Sequence, residues 1–355
     1  MEEKKVTTPQ EDVDVLVKKA TVALDKFLAL TQEQVDYIVA KCSVAGLDNH
    51  GTLAKAAIDE TGRGVFEDKA TKNLFACEYV VNNMRHLKTV GVISSDPVTG
   101  ITEIADPVGV LAGITPVTNP TSTVIFKSLI SLKTRNPIIF SFHPSAFECS
   151  KKAAQVILNA AVEAGAPEDC IQWIENGPME HTSALMNHPG VASILATGGN
   201  AMVKAAYSCG KPAMGVGAGN VPAYINKSAD VEQAVNDIVI SKSFDNGMIC
   251  ASEQAAIIDE EIYEEAKAIF KRLKVYFVNK EEKIKLSRFM FGVAAGDEGV
   301  ENARLNPNIV GKYPWWIAEQ AGFSVIAACS AIAEHSIIRE YAAGRPDAND
   351  CAELC

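Results

Sequence analysis

The sequence predicts an α/β protein with a mostly parallel sheet that carries helices on both faces. Short apolar runs typical of buried strands alternate with longer segments whose apolar residues recur at helical spacing. This order favours parallel strands, because the crossover between two of them needs a long connection that a helix usually supplies. The 355 residues also suffice for two packed domains.

The N-terminal part begins with a predicted amphipathic helix, whose apolar residues are Val13, Leu16, Val17, Ala20, Leu24, Phe27 and Leu28. A second helical stretch is predicted from residue 53 to about residue 84. Residues 101–104 and 108–114 are predicted strands, which Asp106-Pro107 separates. Helices are thus expected ahead of the first strands of the sheet.

The central part continues the alternation. Residues 137–142 form a mostly apolar run, which predicts a fully buried strand. A helix is predicted over residues 146–164, because Gly165 and Pro167 follow it in the order typical of helix ends. Two further strands are predicted, at residues 170–175 and 191–196.

A second βαβ set predicts a separate lobe that begins near residue 226, with Pro222 as the hinge. Asp230 is predicted to cap a helix that starts at Val231, since its side chain can accept from backbone N–H groups of the first turn. A strand, a helix and a strand are then predicted at residues 255–258, 260–273 and 275–278.

Charge and hydropathy exclude several classes of function. The net charge of −11 argues against a nucleic-acid partner, because phosphate neutralisation requires clustered Lys and Arg. No run approaches the roughly 18 apolar residues of a membrane-spanning helix, and no signal-peptide core follows Met1. We therefore expect a cytoplasmic protein with neither a membrane nor a nucleic-acid partner.

Cysteine and histidine spacing argues against disulfide and metal sites. The nine cysteines are odd in number and form no CxxC pair, which suits a reducing compartment. The six histidines do not fall at the short spacings that zinc ligands use. The sequence thus predicts no metal site.

Cys250 is the main candidate for chemistry. It lies among small residues shortly after Asn246-Gly247. Small neighbours admit a substrate carbonyl to a thiolate, and free backbone N–H groups can stabilise the oxyanion that forms. On this segment alone, a small buried hydrophobic residue is an equally good interpretation.

A loop at residues 114–123 is a second candidate. It follows a predicted strand, is rich in Pro, Thr and Asn, and lacks bulky side chains near Asn119. Open α/β sheets bind ligands at the carboxyl ends of their strands. Asn119 can donate to a developing oxyanion together with the backbone N–H of Cys250. As an isolated string, the segment is better explained by a structural turn.

Two glycine-rich segments suggest close approach of a ligand to the backbone. Gly198-Gly199 opens a predicted helix over residues 201–208, where phosphate can reach backbone N–H groups, although no GxGxxG is present. Residues 215–220 are followed by Val-Pro and a strand instead of a helix. We interpret them as a strand that passes under a substrate or a nicotinamide.

In this order the segments resemble the aldehyde dehydrogenase superfamily, and more narrowly its acylating acetaldehyde dehydrogenases, the N-terminal half of bifunctional aldehyde–alcohol dehydrogenases. The resemblance covers roughly residues 10–325. It rests on Glu60-Thr61-Gly62-Arg63-Gly64 with Glu67-Asp68-Lys69, and on residues 114–123, 126–136, 196–199, 210–222 and 244–254. It implies an aldehyde dehydrogenase-like fold, with a Rossmann-like cofactor domain and an incomplete α/β catalytic domain.

The resemblance also implies the chemistry. Cys250 would attack the aldehyde, Asn119 would share the oxyanion site, NAD would accept hydride, and coenzyme A would take the acyl group as co-substrate. The residues implied to contact NAD are Ile114, Thr115, Pro116, Val117, Thr118, Asn119, Gly199 and Gly217. The implied partners are the aldehyde, CoA and further copies of the chain in a homo-oligomer.

One departure from the superfamily favours CoA over water. Hydrolytic members carry a general-base glutamate in a Glu-Leu-Gly-Gly-Lys type string, whereas Gly215 begins the matching stretch here. Without that base, water deacylates the enzyme poorly, but a thiol needs less help. The reaction is then expected to run in both directions, because one thioester is exchanged for another.

A second departure concerns the C-terminal end, where the resemblance stops near Val325. We expect an NAD-binding domain at residues 1–225, an incomplete catalytic domain at residues 226–325 and a divergent tail at residues 326–355. A truncated or altered C-terminus leaves a second hypothesis open: a catalytically inactive fragment that acts only as an assembly partner.

Overall fold

The computed structural model describes residues 8–175, 177, 179–217, 219–294, 297–326, 331–333 and 352–353. The chain divides into two compact units. The first comprises Met1–Gly62 and Phe66–Ala218, and the second comprises Arg63–Val65 and Gly219–Cys355. The main division thus falls at Gly219, whereas the sequence places the second domain from residue 226.

The N-terminal part of the described chain is helical. Its helices are α1 (Pro9–Leu28), α2 (Gln32–Asp48), α3 (His50–Thr61), α4 (Phe66–Cys77) and α5 (Tyr79–Met84). Thr8 and Thr31 begin α1 and α2 with capping boxes, which satisfy backbone N–H groups of the first turn. The helix predicted over residues 53–84 is interrupted, because Gly62 ends α3 with a φ of 62°.

An antiparallel hairpin follows, formed by β1 (Gly91–Asp96) and β2 (Ile101–Ala105). All of its residues except the half-buried Gly91 and Ala105 are exposed. The sequence predicted β2 and missed β1. The two strands are almost equally exposed, so exposure alone does not explain why only β2 was found.

A parallel sheet forms the centre of the first unit. Its strands are β3 (Val110–Ile114), β4 (Ile138–Ser141), β5 (Ile171–Trp173), β6 (Val191–Thr197) and β7 (Ala213–Val216). They lie in the order β5-β4-β3-β6-β7, and every neighbouring pair is parallel. The connecting helices are α6 (Pro120–Lys133), α7 (Phe147–Glu163), α8 (Met179–Asn187) and α9 (Asn200–Tyr207).

Helices cover both faces of this sheet, as the sequence predicted. Leu111 and Phe140 pack on one side in a core cluster that contains residues of α2, α6 and α7. Val110 and Ile139, their neighbours along the strands, pack on the other side with residues of α1 and α8. Successive strand residues point to opposite faces, so one strand supplies both cores. The α/β fold class is confirmed.

The second unit contains the predicted second set of strands and helices. Its elements are β8 (Val221–Ile225), α10 (Val231–Ser243), β9 (Glu253–Ile258), α11 (Tyr263–Arg272), β10 (Val275–Phe277), α12 (Lys280–Phe291), α13 (Pro314–Ala321), β11 (Ala331–Ala333) and β12 (Ala352–Glu353). Pro222 lies inside β8, which pairs with β9 in parallel. This pairing explains why the second unit starts before residue 226.

Part of the predicted tail joins the second unit. β11 pairs in parallel with β10, and Ala331 is buried in the core cluster that contains residues of α10 and α11. β12 pairs with β9 in antiparallel orientation. The rest of the tail predicted from residue 326 lies outside the described residues. Within the residues that the structure describes, no helix is both long and apolar enough to cross a membrane.

Candidate functional site

The order of strands in the first unit creates a switch point between β3 and β6. The chain runs outward from β3 to β4 and β5, and then returns to place β6 on the other side of β3. Connections that leave two neighbouring strands in opposite directions open a crevice at the carboxyl ends, where open α/β sheets bind ligands. The predicted segment from Ile114 to Asn119 follows β3, and Gly199 follows β6. The structure therefore brings these two candidate segments to one edge of one sheet.

A buried lysine holds this edge together. Lys127 Nζ donates to the carbonyl oxygens of Ile114 and Leu195, each at 2.6 Å, and thereby links the ends of β3 and β6. Its side chain is 2% exposed, and burial lowers the pKa of Lys127 to about 7. The sequence included Lys127 only within a resembling segment. Its contact with a strand 68 residues away leaves no local signal.

The loop after β3 presents a polar atom that the protein itself does not satisfy. The Thr115 N–H donates to the Ser141 carbonyl at 3.2 Å, but its Oγ1 is buried without a hydrogen-bond partner among the described residues. An unsatisfied buried hydroxyl is costly unless a ligand or water completes it. Thr115 is therefore suited to contact a ligand at the switch point.

Two glycines, Gly199 and Gly217, place backbone without a side chain near the ends of β6 and β7. Gly199 begins α9, and an added Cβ there would meet open space, so the helix N-terminus is accessible to phosphate. An added Cβ at Gly217 would lie 2.6 Å from Asn200 Oδ1, so a side chain at this position would displace the Asn200 amide. The Thr115 hydroxyl and the open backbone at Gly199 thus lie at the carboxyl ends of β3 and β6, and both suit a ligand that carries phosphate and hydroxyl groups.

Two lysines of α4 hold the last residues of the β3 loop. Lys69 Nζ donates to the Thr118 carbonyl at 3.0 Å, and Lys72 Nζ donates to Asn119 Oδ1 at 2.6 Å. Asn119 occupies the N-cap position of α6, but its side chain makes no capping hydrogen bond. The sequence singled out Asn119 and missed Lys72, since 47 residues separate the two.

Cys250 lies in the second unit, at the turn before β9, and is exposed. In the described part of the chain, neither its thiol nor its backbone N–H has a hydrogen-bond partner. An added Cβ at Gly219 would lie 3.0 Å from the Cys250 carbonyl oxygen, so the backbone at Gly219 packs closely against that of Cys250. Exposure excludes the interpretation of Cys250 as a small buried hydrophobic residue.

The other described cysteines differ from Cys250. Those in the interior of the first unit are Cys42, Cys77, Cys149 and Cys170. Burial raises the pKa of Cys77 and of Cys170 to about 12, and it also raises the pKa of Cys42 and Cys149. Such thiols stay protonated and are poor nucleophiles. Among the described cysteines, Cys250 alone is exposed.

A left-handed turn precedes the candidate nucleophile. Asp245, Asn246 and Gly247 have φ values of 49°, 53° and 74°, in the left-handed region, which Asp and Asn tolerate better than most residues other than glycine. The buried Asp245 Oδ1 accepts from the Val65 N–H at 2.7 Å. Asn246 Nδ2 donates to the Gly311 carbonyl at 3.0 Å. Both contacts lie within the second unit and compensate for the strained backbone.

Gly64 completes this arrangement. Its N–H also donates to the Gly311 carbonyl, at 3.0 Å, and its φ is 84°. An added Cβ would lie 2.0 Å from Asp245 Oδ1, so the carboxylate occupies the space that a side chain would take. The string Glu60-Thr61-Gly62-Arg63-Gly64 is one of the segments on which the resemblance rests, but the sequence did not predict the contact of Gly64 with the turn before Cys250.

The described residues contain no group of three or more His, Cys, Asp or Glu that could hold a metal ion. The predicted cofactor residues and Asn119 belong to the first unit, and Cys250 belongs to the second. Ile114 to Asn119 and Gly199 meet at one sheet edge, and Gly217 directly follows β7, which pairs with β6.

Comparisons with known proteins agree with this arrangement. The sequence model of the aldehyde dehydrogenase family matches residues 5–281. Aldehyde-alcohol dehydrogenase 2 of Entamoeba histolytica is 64% identical over 334 residues, which cover 94% of this chain and 38% of that relative. The chain thus spans well under half of the length of this relative.

Solved structures are similar over most of the chain. An acetylating aldehyde dehydrogenase from Geobacillus thermoglucosidasius superposes with a TM-score of 0.86 and 45% identity, over 93% of this chain and 71% of that one. A propionaldehyde dehydrogenase from Rhodopseudomonas palustris with bound propionyl-CoA has a TM-score of 0.77 and 32% identity, over 90% of this chain and 69% of that one.

Proposed function

This chain belongs to the aldehyde dehydrogenase family, and from that membership we propose that it is a CoA-acylating, NAD-dependent acetaldehyde dehydrogenase. The reaction interconverts acetaldehyde, CoA and NAD with acetyl-CoA and NADH. The observation that carries the proposal is the exposed Cys250, whose thiol and backbone N–H have no partner in the described part of the chain. The similar Rhodopseudomonas palustris enzyme binds propionyl-CoA.

Cys250 is the proposed nucleophile. Its deprotonated sulfur attacks the aldehyde carbon, and the carbonyl electrons move to oxygen to give a thiohemiacetal oxyanion. The backbone N–H of Cys250 and Asn119 Nδ2 are the proposed donors to that oxygen. NAD bound in the first unit would supply the acceptor for the hydride of the same carbon, and loss of that hydride would leave an acyl thioester on Cys250.

The first unit is proposed to hold the NAD. Support comes from the switch point between β3 and β6, from the unsatisfied Thr115 Oγ1 and from the open backbone at Gly199. The proposed contacts comprise Ile114, Thr115, Pro116, Val117, Thr118, Asn119, Gly199 and Gly217. Lys127 stabilises this surface, because its ammonium group binds carbonyl oxygens at the ends of both β3 and β6.

Thiolysis is proposed for the second half of the reaction. An added Cβ at Gly215 would lie 2.6 Å from Val203 Cγ1, so the position is packed for glycine and lacks the glutamate of hydrolytic relatives. Water therefore has no general base at this point. The CoA sulfur, which ionises more readily than water, attacks the thioester carbon and displaces the Cys250 sulfur.

We also propose that residues up to the end of β7 bind the cofactor and that the following lobe carries the nucleophile. The chain is further proposed to form a homo-oligomer in the cytoplasm. The free thiols of the described cysteines suit a reducing compartment. The β1–β2 hairpin exposes Val92, Ile93, Ile101 and Ile104. A two-stranded hairpin is marginal by itself in water, and a second copy would cover these side chains.

NADH formation from acetaldehyde and NAD, with and without CoA, tests the proposed reaction. With CoA, we expect continuous turnover. Without CoA, we expect at most one NADH per Cys250, because the thioester has no efficient acceptor. Sustained NADH and acetate formation without CoA would establish a hydrolytic enzyme instead. A folded chain that forms no NADH at all would favour the inactive assembly partner.

A further inference from the structure

Lys69 and Lys72 lie one turn apart on α4 and are nearly completely buried, with 3% and 9% of their surface exposed. Residues three apart share one helix face, and both ammonium groups reach the end of the β3 loop. Lys69 donates to a backbone carbonyl, that of Thr118. Lys72 donates to a side-chain oxygen, Asn119 Oδ1, at 2.6 Å.

The contact with Lys72 sets the orientation of the Asn119 amide, that is, which side Oδ1 faces and which side Nδ2 faces. An asparagine amide has an oxygen that only accepts and a nitrogen that only donates, and a simple rotation exchanges them. A lysine ammonium has donors and no acceptor. Lys72 can therefore bind only Oδ1, and this fixes Nδ2 on the opposite side of the amide.

The fixed Nδ2 retains a hydrogen for a ligand. One of its two hydrogens is directed to Thr118 Oγ1 at 3.3 Å. No acceptor for the other is present in the described part of the chain. Asparagine is among the best N-cap residues, yet Asn119 does not cap α6 although it occupies the N-cap position. Its side chain is held by Lys72 instead.

We propose that Lys72 is a positioning residue, which holds the Asn119 amide so that Nδ2 donates to the oxygen of the aldehyde. The inference rests on the proposed function, in which Asn119 is an oxyanion donor. Without Lys72, the amide can rotate and present Oδ1, whose partial negative charge opposes an oxyanion. The buried cation at Lys72 also polarises the amide and strengthens its N–H as a donor.

A double-mutant cycle tests the coupling. Removal of one oxyanion donor costs roughly 10²- to 10³-fold in kcat, which is the loss expected for Asn119→Ala. We expect Lys72→Met to lower kcat about tenfold or more, with little change in the KM for NADH. The double variant Lys72→Met/Asn119→Ala should be no slower than Asn119→Ala, because Lys72 acts through Asn119.

Two matched variants sharpen this test. Lys72→Arg keeps a buried cation without acceptors and should retain more activity than Lys72→Met. Lys69→Met removes a lysine of similar burial from the same helix face, but not the contact with the amide. Its effect should therefore persist in the Asn119→Ala background. Full activity of Lys72→Met, or losses that multiply in the Lys72→Met/Asn119→Ala double variant, would overturn the inference.

A measurement that needs no turnover separates this inference from the proposed function. In protein labelled with ¹⁵N only at asparagine, the Asn119 side-chain signals are those absent from Asn119→Ala. Lys72→Met should shift these signals, and Lys72→Arg should shift them less. Unchanged signals would overturn the positioning role. An unlabelled wild-type chain that shows no NADH-linked turnover would instead refute the proposed function, while the signals still decide the role of Lys72.

Discussion

The backbone N–H of Val65 donates to the buried carboxylate oxygen Oδ1 of Asp245 at 2.7 Å, although 180 residues separate them in the sequence. Arg63–Val65 belongs to the second unit, whereas α3 and α4 on either side of it belong to the first. Asp245 starts the left-handed turn that leads to Cys250. This contact therefore supports the segment that presents the proposed nucleophile.

The strain in this turn is consistent with a functional site. Non-glycine residues in the left-handed region cost of order 1–3 kcal/mol each and persist only where the surroundings enforce them. Here Val65 binds Asp245, and the Gly311 carbonyl binds both Asn246 and Gly64. These contacts hold Asp245 and Asn246 in the left-handed conformation.

Gly64→Ala should destabilise the chain more than Gly62→Ala. Both glycines have positive φ, so alanine costs about 1–2 kcal/mol at either position. At Gly64 the added Cβ would also lie 2.0 Å from Asp245 Oδ1, whereas at Gly62 it meets open space. Overpacking of this kind costs about 1–3 kcal/mol more. Urea unfolding of the two variants measures the difference.

Equal loss in the two glycine variants would contradict this account of the turn, because the Asp245 carboxylate would then not occupy the space beside Gly64. Cys250 alkylation provides a second measurement. Its rate should change in Gly64→Ala, which displaces Asp245, and remain that of the wild type in Gly62→Ala.

Lys127 should make stability depend on pH. Burial lowers its folded-state pKa from 10.5 to about 7, so between these values the unfolded chain binds more protons than the folded one. The free energy of unfolding then rises with pH across this window, by at most about 1.4 kcal/mol per pH unit. Lys127→Met lacks this contribution. Urea unfolding at about pH 7.5 and about pH 9.5 compares the two proteins.

The wild type should gain stability relative to Lys127→Met between the two pH values. Lys133→Met is the control for the loss of a buried lysine as such, since Lys133 is equally buried but binds the carboxylate of Asp36 instead of backbone carbonyls. A difference between the wild type and Lys127→Met that stays constant with pH would show that Lys127 remains protonated throughout, held by the Ile114 and Leu195 carbonyls.

The sequence predicted the parts of the fold that bury an apolar face. The strands at residues 110–114, 138–141 and 191–197 were found because both of their sides are largely covered, which produces mostly apolar runs. The hairpin strand β1, which is exposed along nearly its whole length, was missed. The interruption at Gly62 was missed because helical residues continue on both sides of it.

The sequence likewise predicted some residues of the candidate site and missed others. Asn119, Gly199 and Cys250 stand out locally, as small or polar residues at the ends of predicted elements. Lys72, Lys127 and Val65 do not, because their contacts join segments 47, 68 and 180 residues apart. Local periodicity carries no information about such pairs, so only the folded chain reveals them.

NADH consumption with acetyl-CoA, in the wild type and in Cys250→Ala, tests the central claim most directly. Cys209→Ala is the matched control, since this half-buried thiol lies outside the proposed site and donates to the Ala205 carbonyl. We predict consumption by the wild type and by Cys209→Ala, and none by Cys250→Ala. Consumption that survives in Cys250→Ala would contradict the assignment of Cys250 as the nucleophile.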